Sequence, residues 1–152
     1  LSAGLGHLLR FTGPIVSDLL CAALGLGRRY VQIVGRPGEL AFVNVPGAYE
    51  GWMSVVPPGV TFDGRITAGA GLSMLLYDAA SRARQVRCPL LVCVSDRENL
   101  MKPEIALRVA REAPLGRAIR YPTDHFQVYH PPFVGQIVAD QIAFLTEHLD
   151  PE

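Results

Sequence analysis

The sequence predicts an α/β protein in which helices cover a set of parallel strands. Residues 89–94, "PLLVCV", form a continuous apolar run without alternation, which is typical of a strand buried on both faces of a parallel sheet. From this run to the end of the chain, strand-like and helix-like segments alternate with short links, and that order favours a βαβα arrangement. The upstream half has a different pattern, in which two helical segments flank a turn-rich stretch.

In the upstream half, apolar residues at helical spacing predict a first helix from about Pro14 to Leu24, with Pro14 in its first turn. Short β-prone runs then alternate with turns that contain Gly and Pro, as far as Gly59. We interpret this stretch as a cap or loop-rich insertion, because so many turns leave little room for a sheet core. A longer helix is predicted over residues 65–84.

The downstream half predicts two strands and two helices. After the strand at 89–94, Pro103 opens a helix that extends to about Ala113, and "RAIRY" at 117–121 is the second strand. A last helix covers residues 132–149. Its apolar face is predicted to consist of Val134, Val138, Ile142, Leu145 and Leu149, with Ile137 and Phe144 beside it.

The composition indicates a globular chain without affinity for polyanions. Its 152 residues are 49% hydrophobic and carry no net charge, so no basic excess predicts a nucleic-acid partner. No stretch approaches the roughly 18 to 20 apolar residues of a membrane span, so no membrane association is expected. The three cysteines lack C-x-x-C spacing, which argues against disulfides or zinc and favours the cytoplasm. We expect neither a metal nor a cofactor.

Two loops that follow the predicted strands carry the candidate chemistry, because functional residues collect past the carboxyl ends of parallel strands. The first loop offers Asp96 and Glu98, and the second offers Asp124 and His125. A carboxylate can orient a histidine that acts as a base, and the order acid then histidine fits a triad whose nucleophile comes first. Solvated loop side chains are the alternative interpretation. Asp124 is expected to bond local backbone instead.

Three segments give the downstream half a family resemblance. "RCPLLVCVSDRENLMKP", "YPTDHFQVYHPPF" and "VADQIAFLTEHL" resemble the acid loop, the histidine loop and the closing helix of bacterial α/β-hydrolases. The upstream stretch "GRPGELAFVNVPGAYEGWMSVVP" is similar to the lid of that group. The resemblance covers about Tyr30 to Leu149. Within the superfamily, the chain resembles serine hydrolases or esterases that are loosely related to dienelactone hydrolases and X-Pro peptidase-like enzymes.

The resemblance implies roles for particular residues. His125 takes the place of the catalytic histidine. Family members have an aspartate a few residues before the proline, and counting back from Pro103 puts Glu98 there, with Asp96 two residues earlier as the other candidate. Glutamate provides the same acceptor chemistry as aspartate.

The resemblance also implies a division of the chain and a class of substrate. Residues 1–85 would be the lid or cap region, and residues 86–152 the C-terminal part of the hydrolase core. Side chains of the lid would line an apolar pocket for a small ester or acyl substrate. These are Tyr49, Trp52, Met53 and Phe62.

The family's nucleophile motif, G-x-S-x-G, does not occur in the sequence. The nearest match, "GLSML" at 71–75, lacks the second glycine, follows no predicted strand and lies in a helical pattern, which disfavours Ser73. We therefore expect a C-terminal fragment of a serine hydrolase, inactive by itself, that forms homo-oligomers or associates with the missing N-terminal half. The alternative is a non-catalytic domain that associates with itself or with a partner.

Overall fold

Helices and short β-sheets both occur in the computed structural model, which describes residues 5–149, and this mixture confirms the predicted α/β class. The chain divides in sequence between Tyr77 and Asp78 into two compact units, named here the N-terminal and C-terminal units. The division predicted at residue 85 between a lid region and a hydrolase core stays a prediction, and that residue ends a 3-10 helix, Ala80–Gln85. Within residues 5–149, no helix has both the length and the apolar character needed to cross a membrane.

The N-terminal unit contains a small mixed sheet, where the sequence predicted a loop-rich insertion. Strand β1 lies in the centre, parallel to β2 and antiparallel to β3. Phe11, Val31 and Ala68 form the buried core, and the ring of Phe11 stacks on that of Phe42 with the centroids 4.8 Å apart. The elements are α1 (Leu5–Ala23), β1 (Tyr30–Val34), β2 (Ala41–Val43), α2 (Ala48–Ser54), β3 (Arg65–Thr67) and α3 (Ala70–Leu76).

Two of the predicted helices differ from the observed ones. Helix α1 begins upstream of Pro14, which lies inside the helix and not in its first turn. The helix predicted over 65–84 is divided into β3, α3 and the 3-10 helix. Part of the second difference follows from strand pairing, because Arg65–Thr67 pair antiparallel with β1 instead of forming helical turns. Tertiary contacts of this kind override local helical spacing.

A buried carboxylate connects three segments of the N-terminal unit. Asp18 on α1 is fully buried and accepts hydrogen bonds from Nε and Nη2 of Arg28 at 2.9 and 2.7 Å. It also accepts the backbone N–H groups of Arg29 at 2.7 Å and Gly69 at 2.8 Å. The hydrogen bonds from Arg28 and then Arg29 hold the pKa of Asp18 well below its usual 3.8, outweighing the opposing effect of burial.

We expect Asp18→Asn to lower the thermal midpoint at neutral pH and to flatten its dependence on pH. Because the pKa is lower in the folded state, the carboxylate contributes stability above pH ~4 that is lost as the pH falls toward the folded value. Thermal unfolding of both proteins between pH ~2 and ~7 measures the slope. The exposed Asp63, paired with Arg65 at 2.7 Å, gives the control variant Asp63→Asn, which should change little. Parallel curves for wild type and Asp18→Asn would contradict the prediction.

The C-terminal unit confirms the predicted βαβα order. Strands β4 (Leu90–Ser95) and β5 (Gly116–Tyr121) pair in parallel, from Leu90 opposite Gly116 to Ser95 opposite Tyr121. Helix α4 (Pro103–Glu112) connects them, and α5 (Phe133–Leu149) ends the described chain. Each of these elements lies within two residues of its predicted bounds.

The burial of these elements differs from the prediction. In β4, Val94 is buried but Cys93 is exposed, so the strand is not covered on both faces within the described chain. In α5, the buried residues are Ile137 and Phe144. The predicted apolar face is instead largely exposed, at Val138, Ile142, Leu145 and Leu149. Spacing alone did not determine which side of this apolar helix packs against the rest of the unit.

Candidate active site

The acid loop (residues 96–101) and the histidine loop (residues 122–130) begin at the same edge of the sheet, because β4 and β5 are parallel. Backbone pairing continues past the strands, with the N–H of Asp96 donating to the carbonyl of Tyr121 at 2.9 Å. The N–H of Arg97 donates likewise to the carbonyl of Thr123 at 2.9 Å. This pairing holds the first residues of the two loops side by side.

The two loops bring Glu98 and His125 together. Nδ1 of His125 lies 2.8 Å from Oε2 of Glu98, a hydrogen-bonding distance. Oε1 of Glu98 accepts the backbone N–H of Leu100 at 2.8 Å, so both carboxylate oxygens have a partner. The Glu98 side chain is 10% exposed and that of His125 is 35% exposed. A well-shielded acid therefore contacts a histidine that solvent can reach.

This pairing has a chemical consequence for the imidazole. A carboxylate next to Nδ1 favours the tautomer with the proton on Nδ1, and Nε2 then carries the lone pair. The ring of His125 also lies edge-on to the ring of Phe126, with the centroids 4.9 Å apart. The arrangement can therefore orient a histidine that accepts a proton through Nε2.

The structure separates the two acids that the sequence left as candidates. Oδ1 of Asp96 accepts Nε of Arg120 at 2.7 Å, which ties Asp96 to β5 and not to His125. Asp124 bonds local backbone as predicted, because its Oδ1 accepts the N–H groups of Phe126 at 2.9 Å and Gln127 at 2.8 Å. Of these carboxylates, Glu98 is the one that contacts the imidazole.

A cavity of about 420 Å³ opens beside the Glu98–His125 pair. Apolar groups form much of its wall, and polar groups come from β4, β5 and α5. The apolar residues are Met101, Val128, Tyr129, Ile137 and Val138, and the remaining ones are Cys93, Ser95, Tyr121 and Gln141. The volume lies within the range of small-molecule pockets, roughly 300–1,000 Å³.

Tyr121 lies in the cavity wall and was not among the site residues predicted from the sequence. It is 1% exposed, and its hydroxyl donates to Oδ2 of Asp140 at 2.8 Å. Burial raises the pKa of Tyr121, and the bond to Asp140 and the neighbouring Cys93 raise it further, so the phenol stays neutral. Its place at the end of β5, directly before Pro122, was the available signal. Gln141 had no comparable signal in the sequence.

The residues predicted for the lid lie in the N-terminal unit. Tyr49, Trp52 and Met53 are on α2, and the ring of Trp52 meets that of Phe62 at a centroid distance of 5.9 Å. The guanidinium of Arg36 lies 4.1 Å from the centroid of Tyr49. The residues that line the cavity beside His125 belong to the C-terminal unit. The role of these four residues in a lid stays a prediction.

Ser73 does not have the position of a nucleophile on a strand-to-helix turn. It lies within α3, where its carbonyl accepts the N–H of Tyr77 at 3.0 Å. A strand does precede this helix, contrary to the prediction, but Ala68 and Gly69 form the link between β3 and α3. Among residues 5–149, no group of three or more His, Cys, Asp or Glu side chains is arranged to hold a metal ion.

No family model matches the chain. The chain is 27% identical over 137 residues to the quorum-quenching protein AidA of Acinetobacter baumannii (strain MDR-ZJ06), covering 90% of this chain and 45% of that protein. It is similar in fold to DcsB, solved in complex with its substrate analogue, with a TM-score of 0.73 and 14% identity. That match covers 97% of this chain and 53% of the DcsB chain. The chain thus spans about half the length of each protein.

Proposed function

We propose that this chain is the part of a serine α/β-hydrolase that carries the catalytic acid and the catalytic base, and that the enzyme cleaves ester or related acyl bonds. The observation that carries the proposal is the contact between Nδ1 of His125 and Oε2 of Glu98 at 2.8 Å. The two residues come from loops that follow neighbouring parallel strands, which is where a hydrolase of this type holds its acid and histidine.

In the proposed mechanism, Nε2 of His125 removes the proton from a serine hydroxyl as that oxygen attacks the substrate carbonyl. The same imidazolium then gives the proton to the leaving group, and a water molecule repeats the sequence to release the acyl group. Glu98 keeps the ring in the required tautomer and stabilises its positive charge. Because both of its oxygens are bonded, Glu98 can do this without reorienting.

The serine is proposed to lie on a nucleophile elbow outside these residues, since the sequence contains no G-x-S-x-G. The whole enzyme would then contain the segment that AidA has in addition to the part matched here. By analogy with the name of AidA, we propose that the substrate is a quorum signal, which hydrolysis of an acyl bond would inactivate. The cavity beside His125 would receive part of that small molecule.

Assays on the full gene product that contains this chain test the proposal. We expect turnover of short p-nitrophenyl esters and covalent labelling of one serine by a fluorophosphonate probe. We expect no turnover by the 152-residue chain alone, because it lacks the nucleophile motif.

Absence of both turnover and labelling in the gene product would contradict the hydrolase proposal. The alternative, a non-catalytic domain that self-associates, has one observation in its favour. The apolar side chains of Val138, Ile142 and Leu145 on α5 are exposed, and an exposed apolar patch often marks an interface. A gene product that forms a stable oligomer and shows no turnover would favour this alternative.

A further inference from the structure

We propose that Arg97 is a positioning residue whose side chain fastens the histidine loop to the acid loop and thereby holds the imidazole of His125 against Glu98. This inference rests on the proposed function, in which Glu98 and His125 are the acid and the base. Arg97 directly precedes Glu98 in the acid loop, and it would act through the histidine loop without contact with the reacting atoms.

Arg97 contacts the histidine loop on both sides of His125. Its Nη2 donates to the carbonyl of Pro122 at 2.6 Å and to Oε1 of Gln127 at 3.1 Å. Its backbone N–H donates to the carbonyl of Thr123 at 2.9 Å. One residue of the acid loop is therefore bonded at three points that bracket the histidine.

Hydrogen bonds within the histidine loop connect the residues that Arg97 contacts to the backbone around His125. Oε1 of Gln127, which Arg97 contacts, also accepts the N–H of Asp124 at 3.1 Å. Oδ1 of Asp124 in turn accepts the N–H groups of Phe126 and Gln127 at 2.9 and 2.8 Å. His125 lies in the middle of this closed set of bonds, so the position of its backbone depends on where Arg97 holds Gln127 and Pro122.

The chemistry of these contacts indicates an effect on position. Both side-chain acceptors of Arg97 are neutral, a carbonyl and an amide oxygen, so Arg97 does not neutralise the carboxylate of Glu98 through them. For catalysis, Glu98 and His125 must be held within about 0.5 Å and roughly 10–20° of their productive geometry. A small shift of the histidine loop would move the imidazole of His125 beyond that tolerance while the fold stays intact.

Kinetics of Arg97→Ala in the full gene product test the proposal. We expect kcat to fall about 10- to 100-fold with KM changed less than about threefold, because misplacement by about 1 Å costs up to about a hundredfold. Arg97→Lys should lie between wild type and Arg97→Ala, since one ammonium can replace one of the two bonds. The control is Arg120→Ala, which removes the exposed ion pair with Asp96 at the same sheet edge and should leave kcat unchanged.

A spectroscopic measurement separates positioning from a general effect on stability. In long-range ¹H–¹⁵N NMR spectra of the gene product, the imidazole of His125 should show the Nδ1–H tautomer in wild type and in Arg120→Ala. Arg97→Ala should reduce the population of that tautomer. The proposal would be overturned if Arg97→Ala and Arg97→Lys both had the same kcat as wild type and the same His125 tautomer.

The same spectra distinguish failure of this inference from failure of the proposed function. If the wild-type gene product shows neither turnover nor labelling by the fluorophosphonate probe, the hydrolase function is wrong. The effect of Arg97→Ala on the His125 tautomer still decides whether Arg97 positions the imidazole. If wild type is active and the tautomer is unaffected by either Arg97 variant, only the positioning role is wrong.

Discussion

Replacing His125 by alanine is expected to lower kcat/KM of the full gene product toward a short p-nitrophenyl ester by roughly 10⁴- to 10⁶-fold. In the proposed mechanism the imidazole removes the proton from the nucleophile, and its Nδ1 lies 2.8 Å from Oε2 of Glu98. Without it, a serine hydroxyl remains a weak nucleophile at neutral pH. Steady-state kinetics at saturating and at low ester concentrations measure the loss.

The matched control is another histidine of the C-terminal unit. His148 lies in the last turn of α5, edge-on to Phe144 at a centroid distance of 4.6 Å, and it does not line the cavity. His148→Ala should keep kcat/KM within about twofold of wild type, since changes away from a reacting group act mainly on stability. If His125→Ala kept more than a tenth of the wild-type activity, His125 could not be the base.

The parts of the structure that the sequence predicted best are those with long, distinct patterns. The apolar run before Asp96 gave β4, Pro103 gave the start of α4, and the two strand-end loops gave the candidate site. The contact between Glu98 and His125 follows from two facts that sequence can supply. Parallel strands end at the same edge, and each strand is followed by a loop with a side chain of the required type.

The small sheet of the N-terminal unit was not predictable in the same way. Its strands have only five, three and three residues, which is too short for an alternating pattern to stand out from turns. Contacts distant in sequence fix them, such as the hydrogen bond from the N–H of Gly69 to Asp18 across 51 residues. The prediction of which face of α5 is buried was wrong for a related reason. Ile137 and Phe144 lie beside an equally apolar stripe of the helix, and only tertiary packing determines which of these two faces is buried.

The family resemblance ranked Glu98 above Asp96 as the acid, but the sequence left both as candidates. Both carboxylates follow β4 closely, and spacing alone says little about where a loop side chain points. The structure distinguishes the two carboxylates by their contacts. Asp96 forms an ion pair with Arg120 on β5, whereas Glu98 contacts the imidazole of His125. A pair of conservative substitutions can test by kinetics which of the two carboxylates acts on His125.

Glu98→Gln is expected to lower kcat of the full gene product by roughly 10³- to 10⁴-fold, whereas Asp96→Asn should change it by less than about threefold. An amide beside Nδ1 cannot stabilise the imidazolium, and its NH₂ group can hold the ring in the tautomer that has its proton on Nε2. Asp96→Asn removes only an ion pair in which Arg120 is 59% exposed. Steady-state kinetics of the two variants, with thermal midpoints measured in parallel, provide the comparison.

The length of the acid provides a further control on the same contact. Glu98→Asp keeps the charge but withdraws the carboxylate by about one C–C bond length, so it cannot reach both Nδ1 of His125 and the N–H of Leu100 from the same backbone position. Its kcat should therefore lie between those of wild type and Glu98→Gln, because distance weakens the orienting bond without removing the charge. A large loss in Asp96→Asn with full activity in Glu98→Gln would reverse the assignment. It would mean that the acid loop rearranges during catalysis, so that Asp96 leaves Arg120 and contacts His125.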